Sequence, residues 1–109
     1  MGFETISAKE LENFIGRDGV IIVDLRDNID YEKGHVPTAS NIPYDLLEQN
    51  KFKLYYFYSN LLQHEIVLYC DRVGVSLLAC RELYKMGYKV YNVYGGFLSY
   101  RGTIEKGEL

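Results

Sequence analysis

The segment Ile66-Val-Leu-Tyr-Cys-Asp-Arg-Val-Gly-Val-Ser76 decides the fold of this chain. It opens with an unbroken apolar run, which is typical of a strand buried on both faces of a parallel sheet. The loop that starts at Cys70 leads into a stretch from Ser76 to about Met86 with helical periodicity. The segment therefore predicts a strand, a short loop and a helix, with Cys70 at the carboxyl end of the strand.

The helix after this loop is expected to pack one apolar face against the sheet. It should end at Gly87, because glycine suits the left-handed conformation that stops a helix. The residues expected to face inward are Leu77, Cys80, Leu83 and Tyr84. Cys80 is therefore predicted to be a small apolar side chain of the core rather than a reactive group.

The rest of the chain alternates between strand and helix patterns. Apolar runs bounded by turn residues predict four more strands, at Gly2–Ile6, Val20–Val23, Ala39–Ile42 and Lys89–Val93. Helices are predicted at Ala8 to about Ile15, behind a capping box of Ser7 and Glu10, at Asn28–Lys33, at Tyr44–Leu62 and after Gly95-Gly96. The aromatic cluster 55–58 is expected to pack the third of these helices against the sheet. This alternation predicts an α/β fold with a parallel sheet.

Length and composition indicate one folded domain that comprises residues 1–109. Hydrophobic residues make up 48% and charged residues 25%, which is the globular average and argues against disorder. A net charge of -3 argues against general nucleic-acid binding, which needs a basic surface. No segment approaches the about 20 apolar residues of a membrane helix, and the N-terminus lacks the apolar run of a secretory signal. We therefore expect a cytoplasmic protein that binds neither nucleic acid nor membrane.

Cys70 is the candidate for chemistry. Parallel-sheet proteins bind ligands at the carboxyl ends of their strands, and the helix after the loop offers N–H groups and the positive end of its dipole. Both favour the thiolate, which is the nucleophilic form of cysteine. Arg72 would add positive charge, Asp71 would oppose it, and Ser76 is placed to cap the helix or to donate to a bound anion. The alternative is that Cys70 is only a small buried residue at a strand end.

The cysteine and histidine patterns argue against a disulfide scaffold and against a metal site. Cys70 and Cys80 are the two cysteines of the chain, and they form no C-x-x-C pair that would suit zinc or dithiol chemistry. Both are expected to be thiols in a reducing cytosol. His35 follows Gly34 at a turn, and a lone histidine is a poor candidate for a metal ligand. We expect no metal and no other cofactor.

Four segments in succession resemble the motifs of the rhodanese homology domain. They are Ile22-Val-Asp-Leu-Arg26, Tyr31-Glu-Lys-Gly-His-Val-Pro-Thr-Ala-Ser-Asn-Ile-Pro43, Ile66-Val-Leu-Tyr-Cys70 with its loop, and Leu83-Tyr-Lys-Met-Gly-Tyr88 followed by Val90-Tyr-Asn-Val-Tyr-Gly-Gly96. The resemblance extends from about Ile6 to Tyr100. It implies a rhodanese-like α/β fold with an about five-stranded parallel sheet and helices on both faces.

The resemblance implies a sulfurtransferase. Enzymes of this family take a sulfane sulfur from a small donor, such as thiosulfate or a persulfide, onto the loop cysteine and pass it to a thiol or protein acceptor. They need no cofactor for this reaction. By resemblance Cys70 is the nucleophile. The residues that would bind the substrate are Asp71, Arg72, Val73, Gly74, Val75 and Ser76.

Three further residues are expected to support the site structurally. Asp24 can hold neighbouring backbone donors, and Arg26 can pair with a carboxylate such as Glu32, because charges near a core are paired. His35 is expected to lock its loop by hydrogen bonds.

The loop departs from the family pattern C-x-x-G-x-R. Val73 stands where Gly is usual, with Gly74 one place late, and Val75 stands in place of Arg. Valine resists left-handed turns, and the missing Arg weakens anion attraction unless Arg72 replaces it, which puts thiosulfate in question. Two other functions stay open at this point. One is a non-catalytic rhodanese-like module that binds a partner protein or regulates it. The other is a phosphatase, which would need Arg where Ser76 stands.

Overall fold

The computed structural model describes residues 2–59, 61–71 and 74–107. Its strands are β1 (Glu4–Ile6), β2 (Val20–Asp24), β3 (Ser40–Asn41), β4 (Glu65–Tyr69) and β5 (Lys89–Val93). They form one sheet in the order β1-β5-β4-β2-β3, and every neighbouring pair is parallel. All five strands lie where the sequence predicts them, which confirms the α/β fold with a five-stranded parallel sheet.

Helices cover both faces of the sheet. They are α1 (Ala8–Leu11), α2 (Asn28–Lys33), α3 (Tyr44–Gln49) and α4 (Val75–Lys85). Because side chains alternate along a strand, Val67 and Tyr69 of β4 join a core cluster with α1 and α2, whereas Ile66 and Leu68 join the cluster with α3 and α4. The apolar run of β4 is therefore buried on both faces, as a central strand of a parallel sheet requires.

The first helix begins at the predicted capping box. The Ser7 hydroxyl accepts a hydrogen bond from the Glu10 amide at 3.0 Å, and the Glu10 carboxylate accepts one from the Ser7 amide at 2.8 Å. α1 ends at Leu11 and continues as a 3-10 turn, Glu12–Phe14, so the single helix predicted to about Ile15 consists of two short elements.

The long helix predicted over Tyr44–Leu62 is wrong. α3 ends at Gln49, and Lys51 and Phe52 follow with φ values of 56° and 59°, which a right-handed helix does not contain. Two 3-10 turns, Leu54–Tyr56 and Leu61–Gln63, complete the segment. Leu54 and Leu61 are the buried residues of these turns, whereas Tyr55 and Tyr56 are more than half exposed. The expected packing of the aromatic cluster against the sheet is therefore wrong for these two tyrosines.

The inward face of α4 also differs from the prediction. Leu77 and Tyr84 are exposed, and the buried residues are Ser76, Ala79, Cys80 and Leu83. Their spacing is that of one helix face, so the face is rotated toward Ser76. The rotation is tolerated because the Ser76 hydroxyl has a polar partner inside the protein. Cys80 and Leu83 face inward as predicted, and α4 gives way to a turn at Gly87, which has a φ of 95°.

None of the helices within the described ranges is both long and apolar enough to cross a membrane.

Glu65, at the first position of β4, joins three segments at the amino edge of the sheet. Its carboxylate accepts hydrogen bonds from the Tyr91 hydroxyl at 2.5 Å and the Arg17 guanidinium at 2.9 Å, and it pairs with Lys89 at 2.9 Å. The Tyr91 hydrogen bond, followed by that of Lys89, lowers the pKa of Glu65 to about 2. Because this pKa lies below that of the unfolded chain, the carboxylate stabilises the fold above the unfolded value. That contribution is lost as pH falls toward 2.

We expect Glu65→Gln to lower the free energy of unfolding at pH 7 by on the order of 1 kcal/mol, since the carboxylate is partly exposed. The difference from the wild type should shrink by more than half at pH 3, where the native carboxylate begins to take up protons. Urea unfolding at the two pH values measures it, with the exposed Asp18→Asn as control. A difference that is the same at both pH values would contradict the role of the Glu65 charge.

Candidate active site

Cys70 lies immediately after β4, where the parallel strands end together. The loop that it opens is fastened to the 3-10 turn Gly96–Ser99. The Phe97 amide donates to the Cys70 carbonyl at 2.8 Å, and the Leu98 amide donates to the Asp71 carbonyl at 3.0 Å. The start of the loop is therefore held by backbone hydrogen bonds from a separate segment, which fixes the backbone at Cys70 and Asp71.

A cleft of about 210 Å³ opens above the sulfur. Cys70 is only 4% exposed and belongs to the core cluster on the α3 and α4 side, and it also lines the cleft. The cleft is lined by Leu25, Arg26, Asp27, Asp30, Tyr44, Asp45, Cys70, Asp71 and Val75. The sulfur thus borders both the apolar interior and an open cavity, and a small substrate in the cleft can reach it.

A chain of buried polar contacts runs from Cys70 into the protein. The Cys70 thiol donates to the Ser76 hydroxyl at 3.3 Å, and that hydroxyl donates to the Asn92 side-chain oxygen at 2.7 Å. Ser76 is fully buried and Asn92 is 3% exposed. Asn92 is not among the site residues predicted from the sequence. The available signal was a polar residue at an inward position of the otherwise apolar strand β5.

The loop geometry corrects the expectation for Ser76. α4 begins at Val75 and its N-cap is Gly74, with a φ of 93°, so Ser76 lies inside the first turn and does not cap the helix. The first N–H groups of any helix have no intrahelical acceptor, and those of α4 begin beside the cleft. Arg72 and Val73 lie outside the described residues. The amide cradle expected from residues 71–76 therefore stays a prediction.

Asp24 is the centre of a buried ion-pair network beside the site. Its carboxylate accepts hydrogen bonds from the Arg26 amide at 2.9 Å, the Arg26 guanidinium at 2.7 Å and the Tyr69 hydroxyl at 2.7 Å. Asp24 is fully buried and Arg26 nearly so. The carboxylate partner of Arg26 is therefore Asp24 and not Glu32, because the two residues at the end of β2 lie within bonding distance of each other.

Arg26 and Tyr69 extend this network to the loop after α2. The Arg26 guanidinium donates to the Gly34 carbonyl at 2.6 Å, and the Tyr69 hydroxyl accepts from the Val36 amide at 3.1 Å. Burial, followed by the nearby charge of Asp24, raises the pKa of Tyr69, so the hydroxyl stays protonated and remains a donor. The Asp24 carboxylate, through Arg26 and Tyr69, thereby connects the ends of β2 and β4 with the loop at residues 34–36.

His35 is fully buried in the same loop. Its ring Nδ1 donates to the Tyr31 carbonyl at 2.7 Å, and the ring stacks on that of Tyr31 with 3.7 Å between centroids. The backbone of His35 exchanges two hydrogen bonds of 2.9 Å with Glu105. These contacts are those of a residue that holds its loop to the C-terminal segment.

Cys80 lies on the inward face of α4 and is fully buried. Burial raises the pKa of the Cys80 thiol, with a smaller contribution from the nearby Cys70. Neither cysteine is in a disulfide. The two thiols therefore differ in access, since only Cys70 borders the cleft.

Comparison with known proteins identifies relatives of this arrangement. Residues 7–103 match the family profile described as Rhodanese-like domain. The chain is 34% identical over 89 residues to a tRNA sulfurtransferase of Desulfurococcus amylolyticus. This match covers 79% of the present chain and 16% of the relative. The chain is 27% identical over 96 residues to a tRNA uridine(34) hydroxylase of Buchnera aphidicola, covering 87% of this chain and 31% of the relative. The chain therefore spans less than a third of the length of these two relatives.

A solved structure of similar size has the same fold. The crystal structure of a Rhodanese-like Domain Protein from Staphylococcus aureus superposes with a TM-score of 0.76 at 26% identity. The match covers 95% of this chain and 98% of that one, so the whole architecture is shared.

We expect the Asp24→Asn substitution to destabilise the protein by about 3–5 kcal/mol, because it leaves the buried Arg26 guanidinium without its counter-charge. Tyr69→Phe should cost about 1–3 kcal/mol, since it removes the acceptor of the Val36 amide. Urea unfolding measures both, and Asp18→Asn is the matched carboxylate control at an exposed site. Equal stabilities of Asp24→Asn and Asp18→Asn would show that the network does not hold the fold.

The two thiols should react differently with iodoacetamide. We expect the folded protein to take up one alkyl group, at Cys70, because Cys80 is buried and its pKa is raised. Cys80→Ala should keep this reaction, Cys70→Ser should lose it, and the unfolded wild type should take up two groups. Mass spectrometry of the intact chain provides the measurement, and labelling of Cys80 in the folded protein would count against this assignment.

Proposed function

Since the chain belongs to the rhodanese-like domain family, we propose that it is a sulfurtransferase that carries a sulfane sulfur on Cys70 as a persulfide. The observation that carries this proposal is the position of the sulfur, in the lining of a cleft beside the N-terminus of α4. Small ligands of parallel-sheet proteins bind at this edge of the sheet. The relative named tRNA sulfurtransferase supports the same chemistry.

The reaction consists of two exchanges at sulfur. The Cys70 thiolate attacks the sulfane sulfur of a donor such as thiosulfate or a persulfide, a new S–S bond forms, and the donor leaves with the electron pair of the broken bond. A thiol of a small molecule or a protein then attacks the outer sulfur of the Cys70 persulfide and carries it away. The sulfur atom moves without net oxidation or reduction, so the chemistry requires neither metal nor organic cofactor.

The surroundings of Cys70 suit a negatively charged sulfur. The positive end of the α4 dipole and the N–H groups of its first turn stabilise an anion at this position. The Ser76 hydroxyl has a single proton, which it donates to Asn92 while the thiol is protonated. When Cys70 ionises, rotation of this hydroxyl directs the proton to the sulfur and replaces the hydrogen bond that the thiol donated.

The network around Asp24 has a positioning role in this proposal. It fixes Tyr69, the residue before Cys70, and Arg26, which lines the cleft. His35 holds the same loop to the C-terminal segment through Glu105. The reducing interior of the cytoplasm is the proposed location, since both cysteines must stay reduced between turnovers.

A non-catalytic binding module is the alternative function. Exposed apolar side chains favour it: Tyr55, Tyr56 and Leu62 are 55%, 60% and 81% exposed. Tyr55 and Tyr56 also line a wide cleft of about 730 Å³ that contains neither cysteine. Such patches are common at protein-binding surfaces. This function would not require a reactive thiol at residue 70.

Loading of the protein with sulfur tests the proposal. We expect the chain to gain the mass of one sulfur atom after incubation with thiosulfate or with a small persulfide, and to release it to cyanide as thiocyanate. Cys70→Ser should abolish the gain, and Cys80→Ala should retain it as the matched cysteine control. If no donor loads the wild type while the chain still folds, the sulfurtransferase proposal fails and the binding module is favoured.

A further inference from the structure

Four aspartates line the cleft that Cys70 borders. Asp27, Asp45 and Asp71 are exposed and Asp30 is half-buried, and all four line the cavity. Arg26 is the cation among the described lining residues, but its guanidinium is bound to the buried carboxylate of Asp24 at 2.7 Å. Its charge is therefore compensated inside the protein. The field that a ligand meets on entering the cleft is that of the aspartates.

Arg72, the nearest further cation in the sequence, does not reverse the negative net charge of the cleft lining. Arg72 follows Asp71 in the loop, and a full positive charge from it would offset one of the four carboxylates that line the cleft. The lining stays negative in either case. Val75 stands where the family pattern has an arginine, so the loop also lacks the positive charge that this arginine would supply. Entry of an anion into this cleft is opposed by like charges, and entry of a cation is assisted by opposite ones.

The apolar part of the lining gives the second feature of the ligand. Leu25, Tyr44 and Val75 contribute side chains to the same cavity, which has a volume of about 210 Å³. That volume holds a short chain of a few carbon and sulfur atoms. A substrate that fits both features has a sulfane sulfur, a short methylene chain and a positive charge at its far end, where the aspartates lie.

We propose that the sulfur donor of this site is a persulfide whose carrier has a cationic group at the far end of a short chain from the sulfur, and that the site discriminates against the thiosulfate dianion. The inference rests on the proposed function and names its substrate class. The Cys70 thiolate attacks the outer sulfur of the persulfide, a Cys70–sulfur bond forms, and the carrier leaves as its thiolate with the electron pair of the old S–S bond. The ammonium or guanidinium group of the carrier stays among the aspartates throughout.

Two persulfides of nearly equal size test the charge. Cysteamine persulfide ends in an ammonium group, and 3-mercaptopropionate persulfide ends in a carboxylate. The ammonium carrier is also the better leaving thiolate, so each kcat/KM is divided by the rate constant of the same donor with free glutathione. At low ionic strength we expect this normalised kcat/KM for loading Cys70 to be about tenfold higher with the ammonium donor, from a few carboxylates within a screening length. The persulfide of a cysteine peptide flanked by lysines is a third donor. It distinguishes a protein source from a small-molecule source, according to which cationic donor loads faster.

The triple variant Asp27→Asn, Asp30→Asn and Asp45→Asn removes three carboxylates and leaves the loop intact. We expect it to bring the normalised kcat/KM values of the two small donors within about twofold of each other. Asp18→Asn, a carboxylate at the opposite end of β2, should leave the preference unchanged. A preference that survives in the triple variant, or a wild type that prefers the carboxylate donor, would overturn the inference.

Ionic strength gives an independent test. Added salt should accelerate loading by thiosulfate, because it screens repulsion, and should slow loading by cysteamine persulfide, because it screens attraction. The opposite signs would overturn the inference while the proposed function stands, since Cys70 would still be loaded. Failure of every donor to load Cys70 would overturn both.

Discussion

Asp24 accepts hydrogen bonds from the Arg26 guanidinium and the Tyr69 hydroxyl in a place without solvent, and the candidate site depends on this interaction. A carboxylate with 0% exposure is tolerated only when its charge is compensated and its oxygens are bound. Here the hydrogen bonds to Asp24 join the ends of the neighbouring strands β2 and β4, and the Tyr69 hydroxyl also accepts a hydrogen bond from the Val36 amide. The residue after Tyr69 is Cys70, so the same contacts that neutralise a buried charge also place the sulfur.

The two ends of the sheet use polar groups differently. At the amino edge, Glu65 binds Arg17, Tyr91 and Lys89 in partial contact with solvent, where ion pairs fasten segments at low energetic cost. At the carboxyl edge the polar groups are buried, in the Asp24 network and in the contacts of Ser76 with Cys70 and Asn92. Buried groups are held in defined geometry because an unpaired partner is costly, and defined geometry is what a reactive thiol requires.

Charge near the thiol acts at two distances. In the proposed function, the N–H groups and the dipole at the first turn of α4 favour a negative sulfur, and this effect falls off within one turn. In the lining of the cleft, carboxylates face an incoming substrate and act through solvent. An anionic nucleophile and an acidic cleft are therefore compatible, since the first depends on short contacts and the second on the longer-range field. In the reaction we propose, the aspartates of the cleft select which donor arrives, and the first turn of α4 stabilises the sulfur that attacks it.

The sequence by itself determined the strands and their parallel direction, the capping box at Ser7 and the place of Cys70 at a strand end. It could do so because the spacing of apolar residues and the position of turn residues are local properties of the chain. It missed the break after Gln49, since the positive φ values of Lys51 and Phe52 go against the preferences of these residue types, and Phe52 packs against the core cluster on the α3 and α4 side. Only the tertiary structure decided the partner of Arg26, the inward turn of Ser76 toward Asn92, and the gathering of distant aspartates around one cleft. The contact of Ser76 with Asn92 and the lining of the cleft bring together residues far apart in the chain, whereas Arg26 and Asp24 are near neighbours that pair because the fold buries both. These contacts follow from which groups the folded chain buries together, and no local pattern encodes that.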